Sequence, residues 1–230
     1  MPTLHTLRTH RFVRVISIAA AAVMLSATPT LAQRCLGLPM SSKNYVGFEQ
    51  QESWTGHGRQ TPVYGGRYAH SFDAGKGVGV IASIGGGGGG MKADTSAVQV
   101  SGMLSTSLQP IGSNFSMCAG AGFEAHAVDY PGESEDDADA FGSIPVSLGL
   151  GYDVHLGALT LTPFAAPTIA YYEFESRNYK DNHRQYGFDK YVTMGATAAF
   201  SRFSVGASYR NGDRSLGESG RFAFNTGVSF

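Results

Sequence analysis

Three things are scarce in this sequence: charge, cysteine and long apolar runs. Only 15% of the 230 residues are charged and the formal net charge is −1. That balance argues against nucleic acid as a partner, because a phosphate backbone demands a basic face. Past the first 32 residues no apolar stretch approaches the roughly 20 needed for a membrane-spanning helix. Cysteine occurs twice, at Cys35 and Cys118, which allows one disulfide in an oxidising compartment.

The first residues account for that compartment. Arg8, Arg11 and Arg14 precede an apolar stretch from Val15 to Leu25, and Thr30-Leu-Ala32 offers small residues at the positions a signal peptidase inspects. Residues 1–32 are therefore expected to be a cleaved signal peptide. Residues 33–42 follow as a short periplasmic segment, and 43–230 form one domain. Arg34 before Cys35 does not fit a lipoprotein signal.

What is abundant is small and alternating. The sequence holds 31 glycines, and its pattern has period two almost throughout, a strand signal. Val98, Val100, Leu104 and Leu108 alternate with Gln99, Ser101, Ser105 and Ser107. Phe203, Val205, Ala207 and Tyr209 alternate with Ser204, Gly206, Ser208 and Arg210. Ten such segments are expected, near 43–52, 62–72, 77–86, 95–108, 114–128, 141–153, 158–174, 187–200, 202–210 and 221–230. Eight is the alternative count.

The links between them alternate in length. Short ones fall at 73–76, 109–113, 154–157 and around Ser201. Long polar ones fall at 53–61, 87–94, 129–140, 175–186 and 211–220. In an antiparallel meander this places tight turns at one end and long loops at the other, as in membrane barrels. The face opposite the apolar rows has too few charges for a soluble surface, so the apolar rows are expected to face lipid. A sheet in hydrocarbon cannot keep an edge, which requires closure of the first segment on the last. Rings near strand ends, among them Tyr64, Phe72, Phe115, Tyr152, Phe200 and Phe203, fit aromatic girdles.

With Phe222, Phe224, Val228 and Phe230 alternating up to the last residue, the chain resembles the small outer-membrane β-barrel proteins of Gram-negative bacteria, the opacity-type and OmpA-transmembrane-like barrels. Thr226 is a mild departure. The resemblance implies an all-β, closed, antiparallel up-and-down transmembrane β-barrel, with extracellular loops and periplasmic termini. It implies that those four residues are an assembly signal read by the barrel-assembly machinery. The expected partners are outer-membrane lipid, lipopolysaccharide and, in transit, periplasmic chaperones. No cofactor is expected.

Several groupings invite chemistry. Cys35 and Cys118 are both expected near the periplasmic rim, where a disulfide would pin the N-terminal segment in or under the barrel. Glu124 and His126 share an inward face, with Ser143 expected opposite His126. Nucleophile, base and orienting acid are what acyl transfer needs, but any barrel lumen needs paired polar residues, and Glu49 and Arg67 are equally available. The acidic run holding Glu133, Glu135, Asp136, Asp137 and Asp139 offers carboxylates to Ca²⁺, without the spacing of an EF-hand. Gly85–Gly90 lacks the Lys-Ser/Thr of a phosphate loop and reads as a loop tip. The 175–186 link mixes Arg177, Lys180, His183 and Arg184 with Tyr179 and Tyr186. The expected role is structural or adhesin-like through the loops. The alternatives are a narrow channel for small solutes or ions, and a rim-located lipid hydrolase or acyltransferase.

Overall fold

The computed structural model describes residues 36–38, 43–55, 60–72, 78–88, 96–108, 114–129, 138–178, 181–211 and 218–230. The strands are β1 (Asn44–Thr55), β2 (Gln60–Ser71), β3 (Gly79–Gly88), β4 (Ser96–Ser107), β5 (Phe115–Asp129), β6 (Ala138–Tyr152), β7 (Val154–Leu156), β8 (Leu159–Asn178), β9 (Asp181–Phe200), β10 (Phe203–Asn211) and β11 (Glu218–Ser229). Each pairs antiparallel with its sequence neighbour, except that β6 and β7 both pair with β8. β1 pairs with β11, Val46 opposite Val228 and Phe48 opposite Thr226, and this closes the sheet.

β6 and β7 are one barrel strand interrupted at Asp153, so the barrel has ten strands. Proline explains the interruption. Gly151 pairs with Phe164 and Val154 with Leu161, while Tyr152 and Asp153 are skipped opposite Pro163 and Thr162. The register is the same on both sides, so what is lost is the bond that Pro163, lacking an N–H, cannot donate. Beside the gap Thr162 donates from Oγ1 to Asp153 Oδ1 at 2.6 Å. Pro167 interrupts the β6–β8 ladder in the same way between Ser147↔Thr168 and Leu150↔Ala165. Pro145 does so on the β5 side, between Ala121↔Val146 and Glu124↔Ser143.

The alternation sorts the side chains inside out relative to a soluble protein. Val46, Phe48, Ile84, Val98, Val146 and Val205 are each about half exposed or more. Glu49, Gln99, Ser105, Thr162, Thr197 and Arg221 are buried. At the short-turn end a belt of outward rings marks one margin of the apolar band, with Phe72, Phe115, Tyr152, Phe200, Phe203 and Phe230 all exposed. Tyr171 and Phe188 meet edge to face, centroids 5.5 Å apart, toward the other margin. The outward face between these margins is thus mainly apolar, as a bilayer requires, with Thr226 and Lys190 as exposed exceptions.

Two expectations are corrected. The 175–186 segment is not a long loop: β8 and β9 stay paired up to Asn178↔Asp181. Each has 20 residues, about twice the 9–11 that cross a bilayer, so the hairpin continues past the apolar band. Nor is Gly85–Gly90 a loop tip throughout, since Gly85 to Gly88 pair with Gln99, Val98, Ala97 and Ser96. A Cβ on Gly65 would lie 2.4 Å from the Ile84 carbonyl, so backbone contact there leaves no room for a side chain. Of the tight turns, those after β7 and between β9 and β10 follow expectation, with Gly157 at φ +65° and Ser201 at φ +54°, while the links at 73–76 and 109–113 lie outside the described residues.

Candidate functional site

The lumen is filled by two layers. Near the short-turn end, Leu36, Gly37 and Leu38 lie inside the barrel. Leu38 is fully buried against Tyr45, Ala69 and Ile81, with Leu36 and Met103 packed beside them. Gly37 adopts φ +83°, and a Cβ there would sit 2.6 Å from the Phe164 ring. Only glycine lets the chain turn under that ring without strain. Cys118 is fully buried at the same level and disulfide-bonded. Cys35 lies outside the described residues.

The second layer is charged and spans the lumen. Glu124 on β5 is its centre. Arg221 on β11 donates from Nη1 to Glu124 Oε1 at 2.5 Å, and Arg210 on β10 donates to Oε2 at 3.1 Å. His126 Nε2 lies 2.8 Å from Oε1 and Gln99 Nε2 donates to it at 3.4 Å. The Arg210 guanidinium also sits over the Tyr191 ring, 4.4 Å from its centroid. Arg221 donates to Gln51 Oε1 at 3.5 Å, Gln51 donates to Glu49, and Glu49 Oε2 pairs with Arg67 Nη1 at 2.7 Å. One chain of polar contacts therefore runs from β2 through β1 and β11 to β5 on the opposite wall. A buried carboxylate held by two guanidiniums satisfies the rule that buried charges need partners.

Sequence reading placed Glu124, His126, Glu49 and Arg67 on the inward face, and they are there. The register around Ser143 differs from expectation. Ser143 stands opposite Glu124, and Phe141 stands opposite His126. The His126 ring nitrogen that acyl transfer would aim at a hydroxyl is instead directed at the Glu124 carboxylate. Parity also puts Arg210 inward, but nothing in the sequence points to its meeting with Glu124 or to the contacts of Arg221, Gln51, Gln99 and Tyr191. No local signal marks a partner 86 or 97 residues away. Glu133, Glu135, Asp136 and Asp137 lie outside the described residues. Asp139 enters β6 opposite Val128. Among the described residues no three His, Cys, Asp or Glu side chains gather as metal ligands would. Phe222, Phe224, Val228 and Phe230 project outward from β11 and the residue after it.

The closed ten-strand barrel, its apolar exterior and its polar interior together define an outer-membrane β-barrel protein of the Gram-negative type. No family model matches the sequence, and no curated protein matches it. Among solved structures it is similar to the translocator domain of the autotransporter NalP from Neisseria meningitidis, at 10% identity and TM-score 0.43, over 98% of this chain and 96% of that one. It is also similar to the outer membrane protease OmpT from Escherichia coli, at 11% identity and TM-score 0.38, over 84% of this chain and 97% of that one.

Proposed function

We propose that this barrel is a surface-interaction protein, structural or adhesin-like, that works through what it presents outside the membrane. The observation that carries this reading is the β8–β9 hairpin, whose strands are about twice the length a bilayer requires. Beyond Tyr171 and Phe188 its outward row becomes polar and aromatic, with Arg184 paired to Glu173 and Tyr186 71% exposed. An exposed ring held on a paired, rigid ladder suits recognition, since little freedom is lost on contact. In this reading the long-link end is extracellular and the termini are periplasmic, as the resemblance to opacity-type and OmpA-transmembrane-like barrels implies. Lipopolysaccharide is then the first neighbour of Arg184. The filled lumen speaks against the narrow channel. The engagement of both Glu124 oxygens by arginines speaks against a free catalytic acid.

The test is a barrel in which residues 174–185 are replaced by a short turn. It should still shift its mobility between unheated and boiled SDS samples, and cells displaying it should adhere less to epithelial monolayers. Full adherence with a shortened hairpin would refute this reading.

A further inference from the structure

Between the apolar segment at Leu36–Leu38 and the charged layer lies a cavity of about 150 Å³. A cavity of that size is large enough for a guest of about six carbons. Its lining is two-sided. Leu36, Ile81, Met103 and Phe164 are at the apolar side, and Arg67, Arg210, Arg221, Glu49 and Glu124 are at the other. Three guanidiniums against two carboxylates leave one cation in excess. Arg67 Nε is buried and has no acceptor among the described residues. The surplus lies where Arg210 and Arg221 share Glu124, Arg67 being paired with Glu49. An apolar pocket whose far side is net positive, with an unspent donor on Arg67, suits an amphiphile carrying a single negative charge.

The wall beside the cavity carries three proline gaps in its ladders. Pro145 and Ala166 line the cavity, as do Ser147 and Thr168, which join hydroxyls across the β6–β8 seam at 2.8 Å. In that seam Pro163 and Pro167 each remove a ladder bond, and Pro145 removes one from the adjacent β5–β6 seam. Backbone carbonyls left without donors in hydrocarbon are costly, and three such losses lie within one sector of the wall. The outward side of this seam is plain hydrocarbon surface, with Val146, Leu148 and Ile169 exposed. Over the stretch from Pro163 to Pro167, separating the strands breaks two fewer bonds than over an uninterrupted stretch of the same length.

We propose that the lumen cavity binds a medium-chain carboxylate of about six to eight carbons, and that this ligand enters from the membrane through the proline-interrupted β6–β8 seam. The tail rests against Phe164 and Leu36, and the carboxylate faces Arg67. The seam supplies a route that does not require removing Leu36–Leu38 or parting the Glu124 cluster.

The test is calorimetric titration of the whole barrel in lipid nanodiscs, with empty nanodiscs as the blank. Octanoate should bind saturably at one per barrel, and 1-octanol at least ten-fold more weakly. Arg67→Gln should lose at least ten-fold in octanoate affinity while Arg67→Lys retains most of it, which separates charge from folding damage. Pro163→Ala with Pro167→Ala should restore the missing donors, slowing octanoate loading several-fold and leaving its affinity unchanged. Absence of a saturable octanoate signal in a heat-modifiable wild-type barrel overturns the site. Equal binding of octanol overturns the role of the cation, and unchanged loading in the double proline variant overturns the route.

Discussion

Arg221 reaches across the lumen from β11 to Glu124 on β5, Nη1 to Oε1 at 2.5 Å, with side chains only 5% and 6% exposed. The pair ties two walls that share no ladder, with Arg210 as a second tie on Oε2. Removing the carboxylate alone leaves two guanidiniums facing one another in a low dielectric. Glu124→Gln should lower barrel stability by about 3–5 kcal/mol, read from urea unfolding in micelles. Glu124→Leu combined with Arg221→Met should cost much less than the two single changes summed. Additive costs would show that the pair is not coupled.

Gly37 allows the N-terminal segment to pass beneath Phe164. Its φ of +83° and the 2.6 Å approach of the ring leave a Cβ no place. Gly37→Ala should cost about 1–3 kcal/mol, and Phe164→Leu should relieve part of that cost. Thermal loss of unheated-gel mobility is a suitable readout.

Cys118 is disulfide-bonded, and we propose that Cys35, the other cysteine in the sequence, is its partner. Cys35→Ser, Cys118→Ser and the double change should then destabilise alike, by about 2–5 kcal/mol for a loop of this length. Non-reducing peptide maps should contain one linked fragment. A double variant weaker than either single one would reject the pairing.

The outward rows carry a simple expectation. Val100 is 40% exposed on β4, between Ala97 and Ser105, which are buried. Val100→Arg should cost about 2–4 kcal/mol near the bilayer midplane, and Val100→Leu should be close to neutral. If arginine were tolerated there as well as leucine, the lipid-facing assignment of this row would be wrong.

Much of this architecture is legible along the chain. Ten alternating segments, the apolar outward rows and closure of the last segment on the first all follow from period two and the cost of an unpaired edge. The misreadings have separate causes. Glu175–Asn178 and Asp181–Tyr186 lack apolar alternation because beyond the bilayer no lipid face demands it, yet cross-strand pairing keeps them extended. Gly85–Gly88 resembles a flexible tip by composition, but all four pair with β4, and Gly85 and Gly86 pair with β2 as well. Ser143 missed His126 because a long link does not specify its own symmetry, and a shift of two residues preserves every inward and outward assignment.

By itself, then, the sequence determined which side of each strand meets lipid, because that depends only on alternation and solvent. Only the tertiary structure decided which inward side chains meet. Partners such as Glu124 and Arg221 lie on opposite walls, and their encounter depends on closure, stagger and lumen width, which no local pattern encodes. The three prolines illustrate both halves. Each could be read as a missing donor, but only the register shows that all three weaken the same sector of the wall, beside the same cavity.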